Sequence, residues 1–256
     1  MKKISSKDGT TIAYETLGQG PALILVGGAL SDHKAPPAGI PLAKHLAAHF
    51  TVYCYDRRGR GGSSDTLPYA VDREVEDIAA LIERAGGSAY LYGMSSGAAL
   101  ALFASRNNAA IKKLALYEPP FVGGGQGEKY IMRLKELIAA NRLSAAVALF
   151  MKTVGMPSFL IPIMRLTPMW SKLKELAPTL LYDALIMGDG TLPEHLEEIK
   201  APTAVITGAA KRMSDAADTL AQKLPNARHQ VLNGQTHNVK PAVLAPALIE
   251  FFGATV

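Results

Sequence analysis

The chain of 256 residues has a single cysteine, few aromatic side chains and no long apolar run. The scarcity of cysteine and of apolar runs limits the cellular compartment and the membrane association that can be expected. Because Cys54 is the only cysteine, no disulfide can form within the chain, which fits a reducing compartment. No segment reaches the roughly 18 consecutive apolar residues that a membrane-spanning helix needs. The opening residues, MKKISSKDGTT, lack the apolar segment of a signal peptide. We therefore expect a cytoplasmic protein with no membrane partner.

The charge of the chain is modest and scattered. Charged residues make up 19% of the sequence and hydrophobic residues 48%, which is the composition of a folded globular protein. The formal net charge is +5, but the only dense basic cluster is Arg57, Arg58 and Arg60, which has a structural explanation given below. We therefore expect a small-molecule substrate and no nucleic-acid partner. The protein is expected to act as a monomer or a homodimer.

Strand and helix patterns alternate along the chain. Asp8 and Gly9 separate two alternating segments and predict a hairpin turn. The apolar runs PALILVGG, TVYCYD, AYLYG, IKKLALYEPP and APTAVITG are typical of strands buried on both faces, and amphipathic helical patterns lie between most of them. A last strand, ARHQVLNG, precedes the helical segment PAVLAPALIEFF. The alternation predicts an α/β protein with a mostly parallel, twisted sheet and helices on both faces.

Residues 122–196 interrupt this alternation with helical patterns that prolines divide into short pieces. Six of the nine methionines and the only tryptophan, Trp170, lie in this segment. We predict that residues 122–196 form a helical lid, inserted after the sixth strand of a core domain made of residues 1–121 and 197–256. The methionine, leucine and isoleucine side chains of the lid are expected to form an apolar wall beside the ligand, although methionines also fill gaps in ordinary cores.

Three motifs follow strands in a fixed order along the chain. DRRGRGGS, residues 56–63, follows the strand TVYCYD; GMSSG, residues 93–97, lies between a strand and a helix; GQTH, residues 234–237, follows the last strand. In this order and at these intervals they resemble the α/β-hydrolase fold, with its Asp-x-Arg-Gly-x-Gly-x-Ser turn, nucleophile elbow and catalytic-histidine loop. The resemblance covers essentially the whole chain and explains the basic cluster as structure, with Arg58 in a salt bridge.

The resemblance implies a role for several residues. Ser95 is the expected nucleophile, and His237 is the general base that takes its proton. The oxyanion hole needs the backbone N–H of Ser96 and a second N–H from the loop after ALILV. There we expect Ala29, with Gly28 as the next choice. The histidine that the family commonly has in this loop is missing, but the required group is a backbone N–H.

The acid that orients His237 is less clearly marked. The family usually carries an aspartate shortly after the seventh strand, where this chain has Lys211. Asp215 follows four residues later and resembles an early residue, or the cap, of the next helix. In some members the acid follows the sixth strand, where this chain has Glu118. We expect Glu118, with Asp215, or a serine–histidine pair without a carboxylate, as alternatives.

The other histidines are expected to have structural or surface roles. His45, His49 and His195 fit surface or packing positions, and His229 belongs to the alternating pattern of the last strand. His33 follows GGALSD and is expected either to line the pocket or to lie in a solvated loop.

A serine at the elbow argues against the dehalogenases and epoxide hydrolases of this fold, which use an aspartate. The resemblance implies a serine hydrolase that cleaves a carboxylic ester, thioester or lactone with an apolar portion through an acyl-enzyme, with no metal or organic cofactor. The alternatives are a cofactor-free lyase or carbon–carbon bond hydrolase, and a small-ligand receptor with little turnover.

Overall fold

Eight strands form one sheet in the computed structural model, which describes residues 1–123 and 127–254. The strands are β1 (Lys2–Ser5), β2 (Thr11–Leu17), β3 (Ala22–Val26), β4 (Thr51–Tyr55), β5 (Ala89–Met94), β6 (Ile111–Tyr117), β7 (Thr203–Thr207) and β8 (Ala227–Val231). Their order in the sheet is β1-β2-β4-β3-β5-β6-β7-β8. β1 and β2 pair antiparallel, as do β2 and β4, whereas β3 to β8 are parallel. The mostly parallel sheet and the first hairpin are therefore confirmed.

Ten α-helices accompany the sheet in the described part of the chain. They are α1 (Ile40–Leu46), α2 (Val71–Arg84), α3 (Ser96–Ala104), α4 (Gly127–Ala139), α5 (Leu143–Thr153), α6 (Leu160–Met164), α7 (Pro168–Leu176), α8 (Leu180–Met187), α9 (Lys211–Lys223) and α10 (Pro241–Gly253). α1 and α10 pack on one face of the sheet, and α2, α3 and α9 on the other, as predicted. Between residues 1 and 123, and again between 127 and 254, no helix is both long and apolar enough to cross a membrane.

Each face of the sheet has its own apolar core, because the strands alternate their side chains between the two faces. Leu81 of α2 and Leu100 of α3 belong to one core, and Leu42 of α1 and Leu248 of α10 belong to the other. All four side chains are fully buried. Cys54 is buried in the second core.

Helices α4 to α8 lie between β6 and β7 and pack around a separate apolar cluster. Trp170 is buried in this cluster, and its Nε1–H donates a hydrogen bond to Ser144 Oγ at 3.0 Å. Met151 is also buried there, whereas Met132 and Met169 are each 62% exposed. We call α4 to α8 the helical insertion. Residues 124–126 of the predicted lid, and residues 255–256 of the predicted core domain, lie outside the described residues.

Candidate active site

Ser95 lies at the turn between β5 and α3, in a backbone conformation that few residues other than glycine adopt. Its φ is 54° and its ψ is −125°. The backbone N–H of Ser95 donates to the carbonyl of Tyr117 at 3.0 Å, and its carbonyl accepts from the N–H of Ala98 at 2.8 Å. Strand β6 and the first turn of α3 therefore hold the strained turn in place, and Ser95 remains partly exposed.

Two glycines allow this turn because α3 passes very close to the sheet. A Cβ atom at Gly97 would overlap the carbonyl oxygens of Val26 and Gly27, and a Cβ atom at Gly93 would overlap the carbonyl of Gly97. The small residues around Ser95 are therefore required for packing and for the turn alike. A larger residue at either position would displace α3 from β3 and β5.

His237 lies against Glu118 at the carboxyl edge of the sheet. The distance between His237 Nδ1 and Glu118 Oε2 is 2.7 Å, and Glu118 Oε1 accepts the backbone N–H of Gly208 at 3.1 Å. Glu118 follows β6 directly, has a φ of 44° and is only 3% exposed. The carboxylate favours the tautomer with its proton on Nδ1, which leaves Nε2 of His237 free to accept a proton.

Asp215, the alternative acid, lies elsewhere. It is the fifth residue of α9, which begins at Lys211 with Ala210 as its N-cap, so Asp215 is an early residue of that helix, as expected, and not its cap. Residues 211–214, which precede Asp215, already form the first turn of this helix. Asp215 is exposed and forms an ion pair with Lys211 at 3.2 Å. The structure therefore brings Glu118, and not Asp215, into contact with His237.

Tyr117 supports the histidine loop in a way that the sequence did not reveal. This buried residue at the end of β6 donates a hydrogen bond from its Oη to the carbonyl of Thr236 at 2.7 Å. Gly208 approaches the same loop closely, because a Cβ atom there would overlap the carbonyl of Gln235. The backbone on the N-terminal side of His237 is therefore held from two strands, β6 and β7.

Ser95 and His237 line one cavity of about 180 Å³. The loop after β3 forms one side of it, including Gly28 and Ala29, and Met94 contributes from β5. The helical insertion contributes Phe150 of α5 and Val154, the residue that follows α5. Among the described residues, no methionine, leucine or isoleucine of the insertion lines this cavity, so the wall expected of these residues is wrong. Met151 instead fills the insertion's own core, as the alternative expectation had it, and Met132 and Met169 face outward.

The cavity also brings together the backbone groups expected for an oxyanion hole. Gly28 packs directly on the serine, since a Cβ atom at Gly28 would lie 3.2 Å from Ser95 Cβ. Ala29, the next residue, lines the cavity and is half-buried. Ser96 is the first residue of α3, where the free N–H groups and the helix dipole favour negative charge.

The basic cluster that follows β4 is internal. Arg57, Arg58 and Arg60 are at most 2% exposed, because each guanidinium group has a buried carboxylate partner. Arg58 pairs with Asp77 at 2.8 Å and also with Asp8 at 2.9 Å, so the salt bridge predicted for Arg58 is confirmed.

The other two arginines share a carboxylate from the helical insertion. Arg57 binds Glu74 at 2.7 Å, and Arg57 and Arg60 each bind Asp183 of α8 at 2.7 Å. Asp183 also accepts a hydrogen bond from Ser96 Oγ at 2.8 Å. This buried ionic cluster therefore lies directly beneath the residues that surround Ser95.

His33 neither lines the pocket nor lies in a solvated loop, so both expectations stated for it are wrong. It is 6% exposed and does not line the cavity that contains Ser95. Its Nδ1 lies 2.8 Å from Asp56 Oδ1, and its backbone N–H donates to the same oxygen at 2.8 Å. Asp56 is fully buried, and a buried carboxylate requires hydrogen-bond donors. The backbone N–H and the ring of His33 contact it, so His33 is buried beside Asp56. His45, His49 and His195 are exposed, and His229 is half-buried against Thr207 in the sheet, as expected.

The buried Asp183 carboxyl makes stability depend on pH. Burial by itself raises the pKa of Asp183, but Arg60 and Arg57 outweigh it and hold this pKa below the ordinary value of 3.8. Such a group stabilises the fold above its unfolded-state pKa, and the contribution is lost as the pH falls towards the folded-state value. We expect the difference in free energy of unfolding between wild type and Asp183→Asn to shrink below about pH 4. Urea unfolding at several pH values measures it, and a constant difference would contradict an ionised Asp183.

A mostly parallel sheet in which a central strand ends at a strained serine, with a histidine–carboxylate pair at the same edge, defines a protein of the α/β-hydrolase class. Residues 23–247 match the model of the alpha/beta hydrolase family, and the chain belongs to that family. The resemblance and the fold class predicted from the three motifs are thereby confirmed.

Solved structures and a curated relative show how far the similarity extends. An alpha/beta hydrolase from Sphaerobacter thermophilus DSM 20745 superposes with a TM-score of 0.90 at 46% identity, over 98% of this chain and 100% of that chain. The enol-lactonase from Burkholderia xenovorans LB400 shares the fold, with a TM-score of 0.73 at 20% identity over 99% of this chain and 100% of that one. A 98-residue segment is 35% identical to the uncharacterized hydrolase YraK of Bacillus subtilis (strain 168), and it covers 37% of this chain but only 35% of that protein.

Proposed function

We propose that the protein hydrolyses a small carboxylic ester, thioester or lactone through an acyl-enzyme formed on Ser95. The observation that carries this proposal is the contact between His237 Nδ1 and the buried carboxylate of Glu118 at 2.7 Å, with His237 and Ser95 facing the same cavity. A base oriented in this way removes the proton that otherwise makes a serine hydroxyl a poor nucleophile.

The reaction follows from these positions in two halves. Ser95 Oγ attacks the carbonyl carbon while His237 Nε2 takes its proton, and the N–H groups of Ala29 and Ser96 stabilise the oxyanion. The bond from the carbonyl carbon to the oxygen or sulfur of the leaving group then breaks, and His237 gives the proton to the resulting alcohol or thiol, which in a lactone stays attached to the acyl group. Water, activated by the same histidine, attacks the acyl-enzyme and releases the acid, which regenerates Ser95. Glu118 stabilises the imidazolium in both halves.

The cavity supports a small, apolar acyl group. Its volume is about 180 Å³, and it is lined by Met94, by Phe150 of α5 and by Val154, which follows α5. Apolar walls of this kind bind hydrocarbon by removing it from water. That the enol-lactonase of Burkholderia xenovorans LB400 shares this fold supports the inclusion of lactones among the substrates to be tested.

Chain-length dependence tests the proposal. We expect p-nitrophenyl acetate and butyrate to be hydrolysed and the decanoate to be a much poorer substrate. Phe150→Ala is expected to improve the decanoate relative to the butyrate, because it enlarges the cavity. Leu149→Ala is the matched control, since Leu149 packs in the insertion's core and does not line the cavity. The measurement is kcat/KM for each ester with each variant.

Two outcomes would contradict the proposal. Labelling of Ser95 by a fluorophosphonate without turnover of any ester, thioester or lactone would favour a lyase or carbon–carbon bond hydrolase. The absence of labelling together with the absence of turnover would favour a small-ligand receptor.

A further inference from the structure

Asp183 is the member of the buried ionic cluster that belongs to the helical insertion. It is 1% exposed, and both of its carboxylate oxygens are used. Oδ1 accepts from Arg57 at 2.7 Å and from Ser96 Oγ at 2.8 Å, whereas Oδ2 accepts from Arg60 at 2.7 Å. An ion pair of this kind adds little stability over an apolar replacement, because the charges lose their hydration when buried. Its fixed geometry therefore matters more than its energy.

The two arginines that Asp183 binds also hydrogen-bond to the backbone of residues 27–29, in the loop after β3, which we call the oxyanion loop. Arg60 Nη1 donates to the carbonyl of Gly28 at 2.6 Å, and Arg57 Nη1 donates to the carbonyl of Gly27 at 3.3 Å. The carbonyl of Gly28 belongs to the same peptide as the N–H of Ala29. In a planar trans peptide the C=O and the N–H point in opposite directions. An arginine that binds the carbonyl from one side therefore directs the N–H of Ala29 to the other side.

The second expected donor is connected to the same carboxylate. Ser96 supplies a backbone N–H at the start of α3, and its side chain donates to Asp183 Oδ1. Asp183 thus links the peptides on both sides of the space in front of Ser95. Hydrogen bonding at the carbonyl of a peptide also makes its N–H a stronger donor, because the two groups polarise each other.

We propose that Asp183 is a positioning residue of the oxyanion hole: through Arg60 and through Ser96 it orients the two N–H groups that bind the oxyanion. This inference rests on the proposed function. It means that the helical insertion does more than cover the cavity, since α8 supplies the carboxylate that sets the geometry of the donors. Asp183 touches no substrate, so its replacement affects binding of the charged transition state and not binding of the neutral ester.

Asp183→Asn tests this inference by removing the charge while keeping the size of the side chain. We expect kcat/KM for p-nitrophenyl butyrate to fall about 10- to 100-fold through kcat, with KM changed by less than about threefold. The inhibition constant of a trifluoromethyl ketone, which forms a tetrahedral oxyanion on the serine, is expected to rise by a similar factor. A merely structural role would not make the loss of ketone affinity follow the loss of kcat/KM.

Asp77→Asn is the matched control. Asp77 is also 1% exposed and pairs with the neighbouring Arg58 at 2.8 Å, but Arg58 hydrogen-bonds to neither the oxyanion loop nor Ser96. We expect Asp77→Asn to lower the Tm while kcat/KM and ketone affinity stay within about threefold of wild type. If Asp183→Asn does not fold, we use Ser96→Ala to test the inference, because this substitution removes only the hydroxyl that binds Asp183. A several-fold weaker binding of the ketone by Ser96→Ala is then expected.

The outcomes separate this inference from the proposed function. Wild-type protein that neither hydrolyses the esters nor reacts with the ketone overturns both. Active wild type combined with an Asp183→Asn variant of unchanged kcat and unchanged ketone affinity overturns the positioning role alone. The positioning role is also overturned if Asp77→Asn loses as much ketone affinity as Asp183→Asn. Where Ser96→Ala replaces Asp183→Asn in the test, the role is overturned if Ser96→Ala binds the ketone as tightly as wild type.

Discussion

Replacement of Ser95 by alanine is expected to lower kcat for p-nitrophenyl butyrate by about 10⁴- to 10⁶-fold, because no other group can form the acyl-enzyme. The substitution removes only the hydroxyl, and the cavity and the backbone donors remain. KM or ligand affinity should therefore change little. Steady-state kinetics on the purified variant, with an active-site titration to exclude contaminating wild type, measures the effect.

Ser105→Ala is the matched control for this substitution. Ser105 caps the C-terminal end of α3, where its Oγ donates to the carbonyl of Ala101 at 2.8 Å. It is 1% exposed. We expect its loss to lower the Tm slightly while kcat is retained. A Ser95→Ala variant that folds normally and keeps more than about 1% of the wild-type kcat would contradict the assigned nucleophile.

Replacement of Glu118 by glutamine is expected to lower kcat by about 10³- to 10⁴-fold. Glutamine keeps the size of the side chain and can still accept the N–H of Gly208. It lacks the negative charge that stabilises protonated His237, and its amide can hold the ring in the wrong tautomer. Kinetics at several pH values, together with the Tm, separate this effect from a loss of folding.

Asp215→Asn is the control for the Glu118 variant, and also the test of the alternative acid. The exposed ion pair of Asp215 with Lys211 is worth little in water, so we expect kcat and Tm to stay close to wild type. A large loss of kcat in Asp215→Asn with a small one in Glu118→Gln would transfer the acid role to Asp215. Equal and small losses would indicate a serine–histidine pair that needs no carboxylate.

Much of the sheet can be predicted from local patterns. Runs such as ALILV and AVITG are short, apolar and followed by loop residues, which is what strands buried on both faces require. The position of Glu118 follows in the same way, because the carboxyl ends of parallel strands meet at one edge of the sheet. Its contact with His237, however, joins residues 119 positions apart and depends on how the last loop folds.

Other features depend on long-range partners and leave no local signal. His33 is buried because it hydrogen-bonds to Asp56, and nothing in the sequence around His33 indicates that burial. Asp183 lies 87 positions from Ser96, in the mostly apolar helix α8, and nothing in that segment indicates which residues its carboxylate contacts. The side of the insertion that faces the cavity is likewise set by how its helices dock. Phe150 and Val154 therefore line the cavity, whereas Met132 and Met169 face outward.

The most direct measurement is the identification of the atom that becomes covalently modified. After reaction with a fluorophosphonate and tryptic digestion, the peptide of residues 85–106 contains four serines, which fragmentation in the mass spectrometer can distinguish. The account predicts a phosphonyl group on Ser95 alone, formed much more slowly in His237→Ala and not at all in Ser95→Ala. A phosphonyl group on a different serine, or full ester turnover by protein that carries none, would contradict it.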